Sequence, residues 1–287
     1  MEFSSLDKIQ YRKLLLKTYS AFSCFCKDNN IHFCAAGGTM LGAVRHKAMI
    51  PWDDDIDVYM MRSEFDKFIS IREKLNETEY EILDLHTEGY YCSHTKFSHK
   101  SSSIWEFQGI PFIMGAFIDI FVLDYESGSF ENIRKKRQEY SRFYNLYFIS
   151  SNNPPIAKIF DSVCHLHFKK AFWYIVQKFL FKIVRPQIRN KMLIHSEDKT
   201  GEWLIAYTGT SGVKDIFRSE WFEKYISFPF EETTIDVPCG YVSYLEAMYG
   251  DYLTIPPIEK RKTHHSLFYY NLDRRITSEE MAKMQLM

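Results

Sequence analysis

The sequence predicts an α+β protein whose strands lie mainly in the first 125 residues. Strand-like and helix-like segments alternate over residues 1–125, which is typical of an α/β or α+β fold. The run from Phe112 to Leu123 is apolar and β-branched, as expected of a buried strand. Residues 130–195 continue as mostly helical sequence, so we expect the helices to gather in the second part of the chain.

Each predicted element follows from apolar spacing and from the residues at its ends. Apolar residues recur near the helical period over residues 5–29, where Asp28-Asn29-Asn30 closes a first helix. The elements predicted after it are a strand at 31–36, a turn at Gly37-Gly38, a helix at 39–46, a strand at 53–61, a helix at 63–75 with Ser63 as its N-cap, and strands at 80–85, 90–98 and 112–123.

The composition is that of a globular protein with reduced thiols. The chain has 287 residues, 46% of them hydrophobic, and a formal net charge of −1. A nucleic-acid partner is not expected, because general nucleic-acid binders usually carry a basic excess. The N-terminal segment lacks the apolar stretch of a signal peptide, and the six cysteines match no zinc pattern. We therefore expect a cytoplasmic protein without a transmembrane helix.

The most informative segment is Pro51-Trp52-Asp53-Asp54-Asp55-Ile56-Asp57-Val58. Its four carboxylates repel one another, so a fold tolerates them only when they are solvated or neutralised. In a strand, Asp53, Asp55 and Asp57 share one face, and neighbouring carboxylates on that face lie about 6.5–7 Å apart. That spacing suits one hard divalent cation or a pair of them. The segment therefore predicts a metal-binding platform on a strand whose other face is buried.

Three other interpretations of this acidic segment stay open. A solvated acidic turn is one, although Ile56 to Met61 continues as a strand. A calcium-binding EF-hand loop is another, because the three alternate aspartates and Glu64 have the required spacing. Val58, however, stands where that loop needs a glycine. A cluster of acids at a helix N-terminus is the third.

A glycine turn precedes the acidic segment. Gly37 and Gly38 follow a predicted strand and open a helix, and glycines let a backbone approach a ligand closely. A helix N-terminus attracts anions, so we expect a phosphate there, with the Thr39 hydroxyl as an added donor. Gly-Gly turns are common, and this one matches neither a P-loop nor a dinucleotide-binding motif. Its weight comes from its closeness to the acidic segment.

One further aspartate, Asp119, interrupts an otherwise apolar strand. Burying it is costly unless it is paired or bound to a metal, so we expect it to join Asp55 and Asp57. A buried salt bridge is the alternative. Arg45 and Lys96 are candidates for holding phosphate groups, although each could be an ordinary surface charge.

Taken together, these segments resemble the LicD family of phosphotransferases. The resemblance rests on Gly37-Gly38-Thr39-Met40-Leu41-Gly42-Ala43-Val44-Arg45-His46 and Ile50-Pro51-Trp52-Asp53-Asp54-Asp55-Ile56-Asp57. It continues at Phe117-Ile118-Asp119-Ile120-Phe121, Val237-Pro238 and Tyr249-Gly250-Asp251-Tyr252. Ala48 departs from the family pattern, which would have glycine at that turn.

The resemblance implies a fold and a set of site residues. Residues 1–125 would form a nucleotidyltransferase-like core with a mixed sheet, and residues 126–287 a mostly helical region that completes the domain. Asp55, Asp57 and Asp119 would be the catalytic carboxylates and would bind Mg²⁺, or alternatively Mn²⁺. The candidates for binding substrate phosphate are Gly37, Gly38, Thr39, Arg45 and Lys96.

The resemblance also implies a reaction. Active members of the family, among them lipopolysaccharide and teichoic-acid cholinephosphotransferases, move a phosphorylated alcohol from a CDP-activated donor to a glycan hydroxyl. We therefore expect CDP-choline as the default donor, a glycan or lipid-linked glycan acceptor, and release of CMP. The alternatives are a nucleotidyltransferase that releases pyrophosphate and a metal-binding scaffold without catalysis. A choline ammonium group would need an aromatic cage, and the available aromatic residues are Trp52, Tyr90, Tyr91 and Trp105.

The segment 162–196 contains seven Lys or Arg residues and no Asp or Glu. It predicts a basic amphipathic helix that makes peripheral contact with an anionic membrane, and a core helix with a solvated basic stripe is the alternative. The predicted polar side of this helix comprises Lys170, Gln177, Lys178, Lys182 and Arg185. The tail cations that could reach the site are Lys260, Arg261, Lys262, His264 and His265.

Overall fold

A computed structural model describes residues 4–193, 196–261 and 267–286. Seven strands form one mixed sheet, namely β1 (Cys34–Ala35), β2 (Asp57–Met61), β3 (Tyr80–Leu83), β4 (Thr95–His99), β6 (Phe117–Glu126), β7 (Trp203–Ile205) and β8 (Ile216–Arg218). The order is β1-β2-β6-β4-β3, with β7 paired to β6 and β8 to β7. β2 and β6 run parallel, and the other adjacent pairs are antiparallel.

Strand β6 is the centre of the sheet. It has ten residues and pairs with β2, β4 and β7. Nine of its ten residues are buried, which fits its near-continuous run of Phe, Ile, Val and Leu, because a strand covered on both faces needs no polar side. Asp119 is one of the few charged residues inside this run.

The helices of the described chain are α1 (Ser5–Asp28), α2 (Gly37–His46), α3 (Arg62–Ser70), α4 (Phe130–Ser150), α5 (Ile156–Cys164), α6 (Phe168–Phe179), α7 (Arg185–Met192), α8 (Tyr241–Tyr249) and α9 (Ser278–Leu286). A π-helical turn, Leu180–Val184, joins α6 to α7. Two further strand pairs are β5 (Ser103–Trp105) with β11 (Tyr269–Asn271) and β9 (Tyr225–Phe230) with β10 (Thr233–Pro238).

Helix α1 packs on the sheet through a stripe of buried residues at helical spacing. Tyr11, Leu15, Tyr19 and Phe22 are all buried, and the Phe22 ring lies 5.4 Å from that of Phe97 on β4. The Ser4 side chain caps the helix by accepting a hydrogen bond from the backbone N–H of Asp7 at 3.2 Å. The apolar spacing of residues 5–29 thus predicted this helix correctly.

One apolar core joins both parts of the chain. The Tyr59 ring on β2 lies 5.7 Å from Phe217 on β8 and 6.2 Å from Tyr244 on α8. Leu204 on β7 is fully buried in the same core. These contacts cross residue 125. The domain boundary predicted at that residue stays a prediction.

The architecture confirms the α+β prediction and corrects several boundaries. The strand predicted at 112–123 is β6, Phe117–Glu126, and the glycines predicted as a turn are the first residues of α2. The strand predicted at 53–61 begins only at Asp57, because Pro51 and Trp52 form a turn and residues 53–56 remain irregular. Ser63 does not cap a helix, since α3 begins at Arg62. The strand predicted at 90–98 begins at Thr95.

Among the described residues, no helix combines the length and the apolar character needed to cross a membrane.

A buried ion pair ties α4 to the loop that precedes β8. The Arg137 guanidinium donates to Asp215 Oδ2 at 2.8 Å, and both side chains are almost fully buried. Replacing Arg137 with Met should lower the free energy of unfolding by about 3–5 kcal/mol, because Asp215 would stay buried without its partner. Urea denaturation measures this loss.

The matched control for this prediction is Arg134→Met on the same helix. Arg134 pairs with Glu131 at 3.0 Å on the exposed surface, so its removal should change the unfolding midpoint very little. Equal losses in the two variants would contradict a special role for the buried pair.

Candidate active site

Three charged side chains stand in register across neighbouring strands. Asp57 on β2 pairs with Asp119 on β6, and Asp119 pairs with Lys96 on β4. Residues in register on adjacent strands have their side chains on the same face of the sheet. The sheet therefore carries a row of Asp57, Asp119 and Lys96.

Asp55 joins this row from the irregular segment before β2. Carboxylate oxygens of Asp55, Asp57 and Asp119 all lie within 4.8 Å of one another. The strand-face argument for the acidic segment was thus wrong in its geometry, since Asp53 and Asp55 precede the strand, but the predicted trio does come together. Asp53, Asp54 and Asp55 satisfy the same distance limit, so Asp55 belongs to both groups.

The crowding of these carboxylates shifts their proton affinities. Burial and the charges of Asp55 and Asp119 raise the pKa of Asp57 well above its usual value. Burial and the charges of Asp55 and Asp54 raise the pKa of Asp53 to about 8. Carboxylate oxygens are ligands that Mg²⁺ and Mn²⁺ prefer. A bound cation would also relieve the repulsion among these carboxylates. The residues present therefore fit a divalent cation.

Asp119 differs from the other carboxylates because two basic groups contact it. Lys96 Nζ donates to Asp119 Oδ1 at 2.5 Å, and His94 Nε2 lies 3.1 Å from the same oxygen. Burial alone would raise the pKa of Asp119, but Lys96 and His94 lower it below its usual value. The buried salt bridge that was the alternative for Asp119 therefore exists, and it coexists with the carboxylate trio.

Sequence reasoning missed His94. A signal was present, since His94 and Lys96 are two residues apart at the start of a strand, and that spacing puts both side chains on one face. The His94 ring also lies 4.8 Å from the ring of Phe121, two residues beyond Asp119. His94 thus helps to fix the position of Asp119.

The two glycines of the turn make room for carboxylates. Gly37 has a φ of +45°, and a Cβ atom there would lie 3.1 Å from Asp57 Oδ2. A Cβ atom on Gly38 would lie 2.7 Å from Asp53 Oδ2, so a side chain there would force the Asp53 carboxylate to move. The Gly37 N–H donates to Tyr244 Oη at 3.0 Å, so this amide is already used. Of the two glycines, Gly38 is therefore the candidate whose backbone N–H would contact a phosphate.

Thr39 makes a structural contact that the sequence did not indicate. Its hydroxyl is buried and accepts a hydrogen bond from the backbone N–H of Asp57 at 2.8 Å. The side chain therefore holds the first residue of β2 in place. Donation of this hydroxyl to a phosphate stays a prediction.

Arg45 also has a structural task. Its Nη1 donates to the carbonyl oxygen of Tyr252 at 2.8 Å and to that of Thr254 at 3.4 Å. Its guanidinium borders the cleft but holds a distant loop against α2, so phosphate binding by Arg45 stays a prediction with weaker support. Lys96, by contrast, faces the cleft beside Asp119.

The carboxylates open into a cleft of about 920 Å³. One wall is formed by Gly37, Gly38 and the acidic segment, and another by C-terminal residues that include Tyr249 and Asp251. The segment Tyr249-Gly250-Asp251-Tyr252 is thus brought to the site, although it lies far along the chain. Of the tail cations, Lys260 lines the cleft and Arg261 lies 4.9 Å from the Trp52 ring; Lys262, His264 and His265 lie outside the described residues.

A further wall of the cleft is aromatic and carries one carboxylate. The Tyr91 ring lies 5.7 Å from Phe107 and 6.1 Å from Phe148, and all three line the cleft. Glu106 lines the same part and accepts a hydrogen bond from the Tyr91 hydroxyl. No basic side chain among the described residues lies within ion-pair distance of Glu106. This aromatic wall of Tyr91, Phe107, Phe148 and Glu106 suits an organic cation.

Two of the aromatic residues proposed from the sequence do not line the cleft. Tyr90 and Trp105 are fully buried in the interior, where Trp105 Nε1 donates to backbone carbonyl groups. Tyr91 does belong to the aromatic wall, and Trp52 lines another part of the cleft. With 48 aromatic residues in the chain, sequence alone could not separate these cases.

Replacing Thr39 with Val tests its positioning role. The substitution leaves the Asp57 N–H without its acceptor, so we expect a loss of about 1–3 kcal/mol in the free energy of unfolding. Urea denaturation measures it, and Thr39→Ser, which keeps the hydroxyl, is the control. A weaker affinity for a CDP donor without any loss of stability would instead indicate direct phosphate binding.

Comparisons with known proteins agree with this geometry. A family model described as "LicD/FKTN/FKRP, nucleotidyltransferase domain" matches residues 30–159. The lipopolysaccharide cholinephosphotransferase LicD of Haemophilus influenzae is 32% identical over 257 residues, which cover 85% of this chain and 90% of that protein. An uncharacterised protein of Rickettsia prowazekii is 50% identical over 72 residues, 22% of this chain and 27% of that protein. The chain therefore belongs to the LicD family of transferases.

Proposed function

We propose that this protein transfers phosphocholine from CDP-choline to a hydroxyl of a glycan, or of its lipid-linked precursor, and releases CMP. The observation that carries the proposal is the trio of Asp55, Asp57 and Asp119 beside Lys96 in one large cleft. The relative in Haemophilus influenzae, by its name, acts on lipopolysaccharide, which supports a glycan acceptor here. We also propose a cytoplasmic location, which the absence of any disulfide among the six cysteines supports.

Asp55, Asp57 and Asp119 are the residues that would hold Mg²⁺ or Mn²⁺. When bound, such a cation would neutralise the negative charge that builds up on the donor diphosphate as the phosphorus–oxygen bond breaks. Lys96 and His94 both contact the Oδ1 atom of Asp119 and so fix its orientation. Its place in the row next to Asp57 favours a role in metal binding over the role of a base for the acceptor hydroxyl.

The remaining groups bind and orient the donor. Lys96 lies where it can exchange part of its contact with Asp119 for a donor phosphate oxygen, and Gly38 offers a backbone N–H at the start of α2. The acceptor oxygen then forms a bond to the phosphocholine phosphorus, and the phosphorus–oxygen bond to CMP breaks. CMP leaves with that electron pair, and the acceptor proton passes to water. Phosphoryl transfer needs mainly positioning and electrostatic stabilisation from the protein.

The aromatic wall supports choline as the cargo. A quaternary ammonium group has no N–H to donate and is recognised by aromatic faces with a nearby negative charge. Tyr91, Phe107 and Phe148 supply the rings, and Glu106 supplies the charge. Glu106, Lys96 and Asp119 line the same cleft, so the wall and the row can serve the same donor.

The first test is product release from a panel of donors. We expect CMP from CDP-choline in the presence of Mg²⁺, with water replacing the acceptor, and none with EDTA. Asp57→Asn should slow the release at least about a hundredfold, because it removes one carboxylate of the trio. Asp66→Asn, an exposed carboxylate on α3, is the control. Pyrophosphate released from a nucleoside triphosphate would instead identify a nucleotidyltransferase.

A second measurement separates metal binding from activity. In the metal-free protein, Asp57→Asn should raise the melting temperature, since it removes repulsion from the crowded carboxylates. The same substitution should abolish the rise in melting temperature that Mn²⁺ causes in the unmodified protein. An unchanged response to Mn²⁺ would show that the trio does not bind the cation.

The cargo assignment is tested at Glu106 and Phe148. For Glu106→Gln and Phe148→Leu we expect kcat/KM with CDP-choline to fall about tenfold, because the ammonium loses a charge or a ring. The loss with CDP-glycerol, whose cargo is uncharged, should be clearly smaller. Glu139→Gln, an exposed change on α4, is the control. Equal losses with both donors would mean that the aromatic wall shapes the cleft without recognising choline.

A further inference from the structure

Helices α5 and α6 present an apolar stripe to the outside of the molecule. The two consecutive helices pack against each other, and large apolar side chains on their outer faces are 44–67% exposed. The members of this apolar stripe are Ile156, Phe160 and Val163 on α5, and Phe168, Phe172, Ile175, Phe179 and Ile183 on α6 and the π-helical turn. Soluble proteins rarely leave a continuous apolar surface of this kind uncovered.

The spacing makes the stripe continuous. On α6 its residues follow one another by four, three, four and four positions, which keeps them on one face of a helix. Ala171 and Arg185 are buried on another side of the same segment. An apolar helix face usually packs into a protein core, but the apolar face of α6 points outward.

The charges beside the stripe are mainly positive. Lys169, Lys170 and Lys182 are exposed, and residues 162–196 contain no acidic residue. The one acidic residue of α5 and α6, Asp161, is exposed and pairs with His165 at 3.2 Å. Part of the basic side predicted from the sequence is wrong, because Arg185 turns inward and donates to Ser151 Oγ at 3.1 Å and Tyr147 Oη at 2.7 Å. What the structure exposes is an apolar stripe flanked by lysines.

We propose that α5 and α6 lie in the surface of an anionic membrane, with the apolar stripe inserted between the lipid headgroups. An apolar face with lysines at its borders matches both the acyl chains and the phosphates of such a surface. A second copy of the chain fits less well, because a two-fold contact would bring these lysines together with Asp161 as the one acidic residue on either helix.

The same surface is connected to the cleft. Lys178 Nζ donates to Asn153 Oδ1 at 2.9 Å, and the Asn153 N–H donates to the carbonyl oxygen of Gly109 at 3.0 Å. Gly109 follows the loop that carries Glu106 and Phe107. If the proposed function holds, this contact keeps the loop of the aromatic wall next to α6, so a lipid-linked acceptor held at the membrane would lie near the cleft.

Flotation with vesicles tests the proposal on the full chain. We expect binding to vesicles of about one-third phosphatidylglycerol in phosphatidylcholine, and far weaker binding to phosphatidylcholine alone. Phe172→Ser with Phe179→Ser should weaken binding about tenfold for each ring removed. Lys169→Gln with Lys182→Gln should weaken it about fivefold for each charge at low salt.

Matched controls come from α1, which is exposed on another part of the surface. Leu6 and Ile9 are 73% and 57% exposed, so Leu6→Ser with Ile9→Ser should leave vesicle binding unchanged. Lys8→Gln with Lys13→Gln is the control for charge. CMP release with water as acceptor should persist in all these variants, which separates a failure of the membrane proposal from a failure of the proposed function.

The fluorescence of Trp173 measures insertion into the membrane. This residue borders the apolar stripe on α6 and is half exposed. Lipids with brominated acyl chains should quench its fluorescence, and Trp173→Phe should remove that part of the quenching. Absence of flotation and of quenching would overturn the proposal. So would a dimer in light scattering that Phe172→Ser dissociates, if vesicles do not bind.

Discussion

The parallel pairing of β2 with β6 is the constraint on which the site depends, because it sets two carboxylates side by side. Asp57 and Asp119 stand in register on neighbouring strands, which lie about 4.8 Å apart in a sheet. On the β4 side the fold itself supplies a cation, Lys96. A further carboxylate, Asp55, has an oxygen within 4.8 Å of those of Asp57 and Asp119. This crowding of carboxylates beside a single lysine of the row is the physical reason for proposing a metal at this face of the sheet.

Holding that charge in place requires contacts from distant parts of the chain. Thr39 fixes the backbone of Asp57, and Tyr244 on α8 holds the Gly37 amide. Arg45 holds the loop of residues 252–254 against α2. Each contact joins α2 to a residue that follows its α2 partner in sequence by 18 to 209 positions. The second part of the chain is therefore part of the site, which explains why similarity to the Haemophilus influenzae relative extends well beyond residue 159.

The sequence predicted the elements whose signals are local. The apolar period of α1 and the buried run of β6 were recognisable, and so was the acidic cluster, since charge repulsion depends on neighbouring residues. The roles of Thr39 and Arg45 were not, because both depend on acceptors or donors far away in sequence. The basic side predicted for residues 162–196 failed at Arg185 for the same reason, since its partners, Ser151 and Tyr147, lie on or next to another helix. Counting charges cannot show which face of a helix the fold covers.

Burial and the sign of nearby charge separate two uses of the same residue type. Aromatic residues make up 17% of the chain, so their presence alone indicates nothing. Tyr91 is 2% exposed beside a carboxylate, Glu106, and an enclosed ring with a negative neighbour favours an ammonium group. Phe172 is 67% exposed on a helix bordered by lysines, and an open ring with positive neighbours favours an anionic lipid surface. Under the two proposals, the first surface would bind a cationic cargo and the second would meet an acceptor held at a membrane.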